Sequence, residues 1–411
     1  MHTESVVQPE NIIPSLQLSN LKINNSPVTE NIEKEVIHIK LDIISELPPE
    51  LSVYIFSYLI DFKDIHYVSK TWNERLDANL IWKQKYLLRW PLSPLQLKKN
   101  ISKFKWKSLY HTKLKLLYNW REGKVDATAL IGHTDAVYCV QFDSTKVISG
   151  SRDRTIKYWN LKDCQCYRTL YGHEGSVLCL QFNEEYLVTG SSDSNIIIWD
   201  VNTGEKIRQF TEHQSSVLDL RFSKDYLISC SKDLSIKIWE FKTGKLIHSL
   251  KGHDAAVNCL HVFQNKLVSA SGDTIIRLWD IDTGECVRSY EGHNRGLACV
   301  DFDGKTLVSG SNDHSVRVWD VETGQCLRTL DAHTDLVRTL AFDTNHIVSG
   351  SYDQTIKIWD TKTGELLLDM ANAHESWVFH LQIDSVKIVS SSQDCKIIIW
   401  DFSNGLDVSD F

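Results

Sequence analysis

The amino-acid sequence predicts an all-β fold made of seven copies of one four-stranded unit, preceded by a small all-α module and a helical linker. Three observations predict it. His133, His173, His213, His253, His293 and His333 recur every forty residues, and His374 follows after forty-one. Trp159, Trp199, Trp239, Trp279, Trp319, Trp359 and Trp400 keep the same step, and an aspartate stands twenty residues after each histidine (Asp153, Asp193, Asp233, Asp273, Asp313, Asp353 and Asp394). Between these marks run short apolar or alternating stretches cut by turn residues, the pattern of strands.

Residues 1–42, with "IPSLQLSNLKINNSPVTEN", carry Pro, Asn and Ser punctuation and little periodicity, so they are expected to be disordered. Residues 43–90 change character. Ser45-Glu-Leu-Pro-Pro is a helix start, and Leu51, Ile55, Phe56 and Leu59 then fall on one helical face. Ile65, Val68 and Trp72 make a second apolar stripe, and Trp82 with Tyr86 a third. A module of about 45 residues has a thin core, which favours a partner that buries more of its apolar surface. Residues 91–124 are Lys-rich and Leu-periodic and read as a helical linker.

The repeats fill residues 125–403, leaving 404–411 as a tail. In the first copy "VYCVQF", "KVISGS", "TIKYWN" and "CYRTL" are the four strands, and in later copies Thr-Gly pairs, as in "DVNTGE", mark the turn into the last. "VDATALIG" is a fourth strand with no preceding three, and the last copy ends on a third strand, "KIIIWDF". The two are expected to pair and so remove an open edge.

Bulk properties exclude several functions. A net charge of −8 over 411 residues gives no support to nucleic-acid binding. No apolar run approaches the roughly 18 residues of a membrane span, and "MHTESVVQPE" lacks the basic start and apolar core of a secretory signal. There are ten cysteines and no CxxC pair. Cys139, Cys179, Cys259 and Cys299 each sit six residues after a repeat histidine, which suits small buried hydrophobes. Free thiols without an export signal imply cytoplasm or nucleus, and no metal or cofactor is expected.

Four strands per forty residues ending near Trp-Asp resembles the WD repeat, and seven copies imply a seven-bladed β-propeller. Asn160 and Glu240 replace the Asp after Trp, and Glu212, Ala332 and Ala373 replace the Gly before His; these outer positions leave the count intact. Four residues before each aspartate is a hydroxyl: Ser149, Thr189, Ser229, Ser269, Ser309, Ser349 and Ser390. One His/Ser/Asp set invites a hydrolase reading. Seven on a fixed step do not, and no GxSxG elbow occurs. The sets are expected to form buried chains from Trp through hydroxyl to His and Asp that lock each blade.

The stretch with Leu47-Pro48, "YIFSYL", "VSKTW" and "LIW" resembles an F-box, the module that docks on a Skp-type adaptor of cullin-RING ubiquitin ligases. The resemblance implies Leu47, Pro48, Ile55, Phe56 and Leu59 as docking residues.

A propeller offers its rim at the mouth of the central channel. The resemblance to WD repeats implies rim positions three and five residues after each histidine and one before each aspartate, and these hold Arg152, Lys232 and Arg338 and no acid. Arg295 adds a fourth cation, and Tyr138, Tyr352, Trp377 and Phe379 add aromatic faces. Cations spread around a channel suit an extended acidic or phosphorylated peptide. From "NWREG" through "VYCVQFDSTKVISGSRDRTIKYW" to "IVSSSQDCKIIIWDF" the chain is similar to the β-TrCP branch of F-box/WD proteins, which binds doubly phosphorylated Asp-Ser-Gly-x-x-Ser motifs. That resemblance implies one phosphoserine on Tyr138, Arg152, Ser176 and Ser192, and the other on Arg295, Gly296 and Asn312. It sets Lys232 and Arg338 against the aspartate and backbone, with Leu218, Asn258, Gly272, Ala298, Leu336 and Tyr352 lining the channel. Asn312 stands where the family has serine, and Trp377 where it has arginine. The implied function is a non-catalytic substrate receptor of a Skp–cullin–F-box ligase. Its partners would be the adaptor and phosphorylated proteins, with a homodimer admitted; the alternative is a non-ligase WD scaffold for acidic or phosphorylated peptides.

Overall fold

The computed structural model describes residues 47–48, 51–52, 55, 70–76, 79–90, 105–371 and 373–408. The chain divides into two compact units, Met1–Leu76 and Asp77–Phe411. In the first, Leu51, Ser52 and Ile55 are helical, and helix α1 spans Lys70–Leu76. The described residues of the second form helix α2 (Asn79–Arg89), helix α3 (Trp106–Glu122) and 28 strands, β1–β28. Among the described residues no helix is long and apolar enough to cross a membrane.

The strands form seven antiparallel four-stranded sheets, one per repeat. Blade 1 is β2 (Val137–Phe142), β3 (Lys146–Ser151), β4 (Ile156–Asn160) and β5 (Cys166–Leu170). Blades 2 to 6 repeat this order over 177–210, 217–250, 257–290, 297–331 and 337–370. The second and third strands are mostly buried, with small or apolar residues at most positions, while the outer strand is open to solvent until its last residue, Leu170. The Thr-Gly turn is real: Gly204, Gly244, Gly284, Gly324 and Gly364 all take φ between +72° and +79°. In blade 1 Cys164 takes that conformation instead, at φ 59°.

The core lies between blades. Trp199 of blade 2 packs with Cys139, Ile148, Tyr158 and Leu170 of blade 1, so each repeat is completed by its neighbour. Blade 7 is β26 (Val378–Ile383), β27 (Lys387–Ser392), β28 (Lys396–Asp401) and, on its outer edge, β1 (Asp126–Ile131). β1 runs antiparallel to β28 from Asp126↔Asp401 to Ile131↔Lys396, so the first and last strands close the ring.

Helix α3 is fixed to this ring. Trp120, 1% exposed, is sandwiched between His346 (4.5 Å) and Phe402 (4.0 Å), and its Nε1–H donates to the Ser385 carbonyl at 3.3 Å. Asn119 Nδ2 donates to the Phe402 carbonyl at 2.8 Å, and Gly123 ends the helix in the left-handed region at φ 65°. α2 packs on the other end of α3 through Trp82–Tyr110 and Tyr86–Trp106 ring contacts at 5.3 and 5.4 Å. Lys113 of α3 lies over the Tyr86 and Trp90 rings at 5.6 and 5.4 Å; burial there lowers its pKa, against the pull of Asp343.

Candidate functional site: the channel mouth

The repeat histidines build the frame of the mouth. In blade 1 the Trp159 indole N–H donates to Ser149 Oγ at 2.8 Å, Ser149 Oγ lies 2.8 Å from His133 Nε2, and His133 Nδ1 lies 2.7 Å from Asp153. With the indole donating, the hydroxyl proton goes to Nε2 and the Nδ1–H to the carboxylate. Five further blades repeat the chain. Ser149 is 0% exposed, so this triad reaches no substrate.

Blade 3 departs from the expected seven copies. Ser229 still meets His213 at 2.6 Å, but the Trp239 N–H donates to the Glu212 carboxylate at 3.2 Å. Glu212 replaces the small Gly or Ala that leaves this space open in other repeats, and its charge outcompetes the hydroxyl as an acceptor.

Each network aspartate also shapes the rim. Asp153 accepts the backbone N–H of Thr134 at 3.1 Å and of Thr155 at 2.9 Å, and its own N–H donates to Ser151 Oγ at 3.0 Å. Burial works against these carboxylates. Hydrogen bonds outweigh it and hold Asp193 and Asp233 down to about 2, through His173 for the first and chiefly Ser235 and Gln214 for the second. The residue after each aspartate is left-handed in all seven blades: Arg154, Ser194, Leu234, Thr274, His314, Gln354 and Cys395. The residue before it donates its backbone N–H to the rim carbonyl sixteen positions earlier, from Arg152 to Ala136 (2.8 Å) through to Gln393 and Trp377 (3.0 Å). One backbone frame thus presents seven different side chains.

The candidate residues take up this frame as follows. Arg152 and Tyr138 stand on blade 1, and Ser176 and Ser192 on blade 2, whose inner strand packs against that of blade 1. Ser192 Oγ accepts the Ser176 N–H at 2.8 Å, which leaves the hydroxyl proton of Ser192 to donate outward. Lys232, Arg295 and Asn312 are exposed on blades 3 and 5. Gly272 and Gly296 abut: a Cβ on Gly296 would lie 3.1 Å from the Gly272 Cα and carbonyl, so blades 4 and 5 show bare backbone there. Arg338 Nη1 donates to the Ala298 carbonyl at 3.4 Å. Burial raises the Tyr352 pKa, while the Arg338 charge and hydrogen bond work the other way. Asn258 is tied to the Leu297 carbonyl at 2.6 Å. Tyr138, Leu218, Asn258 and Arg338 also line the central cavity of about 490 Å³, and Leu336 is half-buried beside Asp335. Among the described residues no three His, Cys, Asp or Glu side chains gather as a metal set.

The acid-free rim read from three positions per repeat needs correction. Asp135 lies 3.7 Å from Arg152 Nε, and Asp335 caps the Leu336 N–H at 2.7 Å on the rim of blade 6. Both stand two residues after their histidine, the slot that holds Arg295 in blade 5. Comparing that slot across all seven repeats is the signal that finds them. The cavity is also lined by the Asp219–Arg221 pair (2.7 Å) and by Asp301, 3.1 Å from His261, whose pKa burial lowers; the sequence reading missed these ionisable groups.

Of the five adaptor-docking residues, Leu47 is half-buried, and Pro48 and Ile55 are exposed. Phe56 and Leu59 lie outside the described residues.

Comparison with known proteins agrees with the repeats. The family of the WD domain, G-beta repeat, matches residues 124–160, 164–200, 204–240, 244–280, 284–320, 324–360 and 366–401. An F-box-like family matches residues 44–88. The probable E3 ubiquitin ligase complex SCF subunit sconB of Arthroderma otae is 30% identical over 166 residues, 32% of this chain and 24% of that protein. F-box/WD repeat-containing protein 7 of Drosophila melanogaster is 34% identical over 143 residues, 31% of this chain and 11% of that one. The matched stretch thus spans about a quarter or less of these relatives' length. Among solved structures, the WD40 β-propeller domain of Doa1 superposes with a TM-score of 0.62 at 29% identity, covering 67% of this chain and 95% of that one. The computationally designed Ika8 protein gives 0.57 at 37%, covering 66% and 85%. Seven matched repeats closed into seven blades, behind a matched F-box-like segment, show that the chain belongs to the F-box/WD-repeat proteins.

Proposed function

We propose that this chain is the substrate-recognition subunit of a Skp–cullin–F-box ubiquitin ligase, and that its channel mouth captures doubly phosphorylated peptides of the Asp-Ser-Gly-x-x-Ser type. The observation that carries the reading is the mouth itself. Four cations, Arg152, Lys232, Arg295 and Arg338, are spread over blades 1, 3, 5 and 6 among hydroxyl, amide and bare-backbone donors. A phosphoserine brings nearly two negative charges and three acceptor oxygens, which a guanidinium and the Ser192 proton are suited to meet. Separated cations ask for separated acidic groups on one ligand. The ring performs no chemistry in this reading. The F-box-like segment ties the captured protein to the ligase, and the contribution is proximity.

A bridging assay tests both halves. Beads carrying the doubly phosphorylated peptide retain a Skp-type adaptor only when the full chain is added, and plain-peptide beads do not. Arg152→Ala weakens peptide capture about 10- to 100-fold, the ~1.5–3 kcal/mol of a charge-assisted contact; the side chain is 58% exposed, so the penalty of a fully buried charge does not apply. Equal capture of plain and phosphorylated peptide defeats the phosphate reading. Peptide capture without adaptor leaves a WD scaffold in place of a ligase subunit.

A further inference from the structure

Neighbouring blades meet along seams on the face away from the mouth. Each seam sets the first residue of one blade's second strand against the residue two after the tryptophan of the next blade. Both positions are aromatic at two seams only: His346 with Phe402 between blades 6 and 7, and Tyr186 with Phe241 between blades 2 and 3. The first is the seat of α3, whose Trp120 lies flat between the two rings at 4.5 and 4.0 Å. The second receives no helix among the described residues and opens as a cavity of about 820 Å³. The two seams match position by position. Ile198 stands for Ile358, Arg208 for Leu368, and Lys224 for Ser385, whose carbonyl accepts the Trp120 N–H. These three line the cavity with Tyr186, Phe241 and the 51% exposed Ile207. At the α3 seat the Phe402 carbonyl takes Asn119 Nδ2; at the other, Arg208 Nη1 already donates to the Phe241 carbonyl at 3.3 Å, so an occupant there needs to bring only its ring. Tyr186, half-buried, meets Phe241 edge-on at 5.2 Å, and turning its ring aside joins the cavity to the slot. Strand β6 (Val177–Phe182) runs from the mouth to this seam, five residue steps or about 17 Å.

We propose that the seam between blades 2 and 3 is a docking site for a helix of a partner protein, one that presents a Trp or Phe side chain with a Lys or Arg two turns before it. The site is separate from the mouth and does not rest on the phosphopeptide reading. Helix α3 shows the form of the occupant: a large aromatic side chain buries its area between rings that are already in place. Charge complementarity supplies the rest. In α3, Lys113 stands seven residues before Trp120 and feels the Asp343 carboxylate of the blade 6 turn. Blade 2 replaces the turn Asp343-Thr344-Asn345 by Asn183-Glu184-Glu185, which has one more acid. Both glutamates are exposed, and neither pairs with a cation among the described residues. Lys224 and Lys242 on the blade 3 lip repel a basic side chain and so turn it towards blade 2. A second copy of this chain has no such helix to offer, because its Trp120 is 1% exposed, and residues 1–46 contain no Phe, Trp or Tyr.

The probe is a labelled peptide of the α3 sequence, residues 106–122, titrated into the full chain and followed by fluorescence anisotropy. The peptide binds saturably, and Trp120→Ala within it weakens binding about ten-fold, the effect of some 60 Å² of buried apolar surface. Tyr186→Lys in the full chain weakens it as much. Lys146, Lys266 and Lys387 hold that position in three other blades, so the fold accepts the change. Ile207→Asn, on the exposed lip, is a second blocking variant and weakens binding about three-fold, by roughly 30 Å² of lost apolar contact. No binding of the peptide, or equal binding to the wild type and both variants, overturns the site. Loss of binding in Phe402→Val but not in Tyr186→Lys means exchange at the α3 seat and overturns it too. A dimer of the full chain that Tyr186→Lys abolishes, seen by sedimentation, makes a second copy the occupant and overturns the partner helix. Capture of the phosphorylated peptide is expected to be unchanged in Tyr186→Lys, so failure of either reading leaves the other standing.

Discussion

Asp135 places a carboxylate oxygen 3.7 Å from Arg152 Nε and uses its other oxygen to cap the Ala136 N–H at 2.8 Å. The guanidinium is thereby aimed before any ligand arrives, and on the proposed reading a phosphate would meet a like charge beside it. Asp135→Asn keeps an oxygen for the cap and removes the repulsion. It is expected to tighten binding of the doubly phosphorylated peptide about 3- to 10-fold and to leave plain peptide unchanged, by the ~1 kcal/mol scale of a half-exposed charge pair. Weaker phosphopeptide binding in Asp135→Asn shows instead that Asp135 chiefly positions Arg152. At this scale the sequence was informative where a residue broke its own repeat. Arg152 stood out because the same slot holds Ser192, Lys232, Gly272, Asn312, Tyr352 and Gln393 elsewhere. Asp135 did not, because its partner is seventeen residues away and only the β2–β3 pairing brings the two together.

Helix α3 was legible as a helix and not as a docked one. A Lys-rich, Leu-periodic segment reads the same whether its apolar face meets solvent, a membrane or another element. Leu109 and Leu116 of that face are buried, and Trp120 lies between rings from blades 6 and 7, contacts made by residues more than two hundred positions downstream. Trp120→Ala is therefore expected to cost about 3–5 kcal/mol, the range for removing a large buried aromatic. A urea titration would show it as a lowered midpoint; an unchanged midpoint means that the helix adds nothing to the ring. The blade count and the closing strand were both legible, because exact repetition fixes register. The one locking chain that deviates, at Trp239, is also the one whose repeat carries Glu212 in place of Gly.

Over the whole ring, the pH response follows from groups that burial forbids to charge and groups that hydrogen bonds keep charged. Burial depresses His380 to about 4, with Asp219 opposing and Arg221 and Arg338 reinforcing, and its Nδ1 has no hydrogen-bond partner. Burial also lowers His213 and His253, against Asp233 and Asp273. In the unfolded chain each binds a proton below about 6.5, so acidification from there towards 4 favours unfolding. The network aspartates act lower. Their stabilisation is complete above about 4 and is lost as pH falls through folded values near 2 for Asp193 and Asp233. Thermal unfolding should therefore show a Tm that is level above pH 7, declines between 6.5 and 4, and drops more steeply below 4. His380→Gln should flatten the middle segment. A Tm that rises on acidification from 6.5 to 4 contradicts this assignment.

The pairing of β1 with β28 also sets a schedule for synthesis. Asp126 must wait for Asp401, so β1 leaves the ribosome about 275 residues before its partner exists. At about 5–20 residues per second that is roughly 15–55 s. Throughout that interval six blades can form in order, but the ring stays a sickle with two raw flanks. A message cut short before residue 396 yields a chain that keeps nearly all of the mouth and never gains the clasp. Such a product advertises its own incompleteness through unpaired strand edges, the surface that chaperones and proteases act upon.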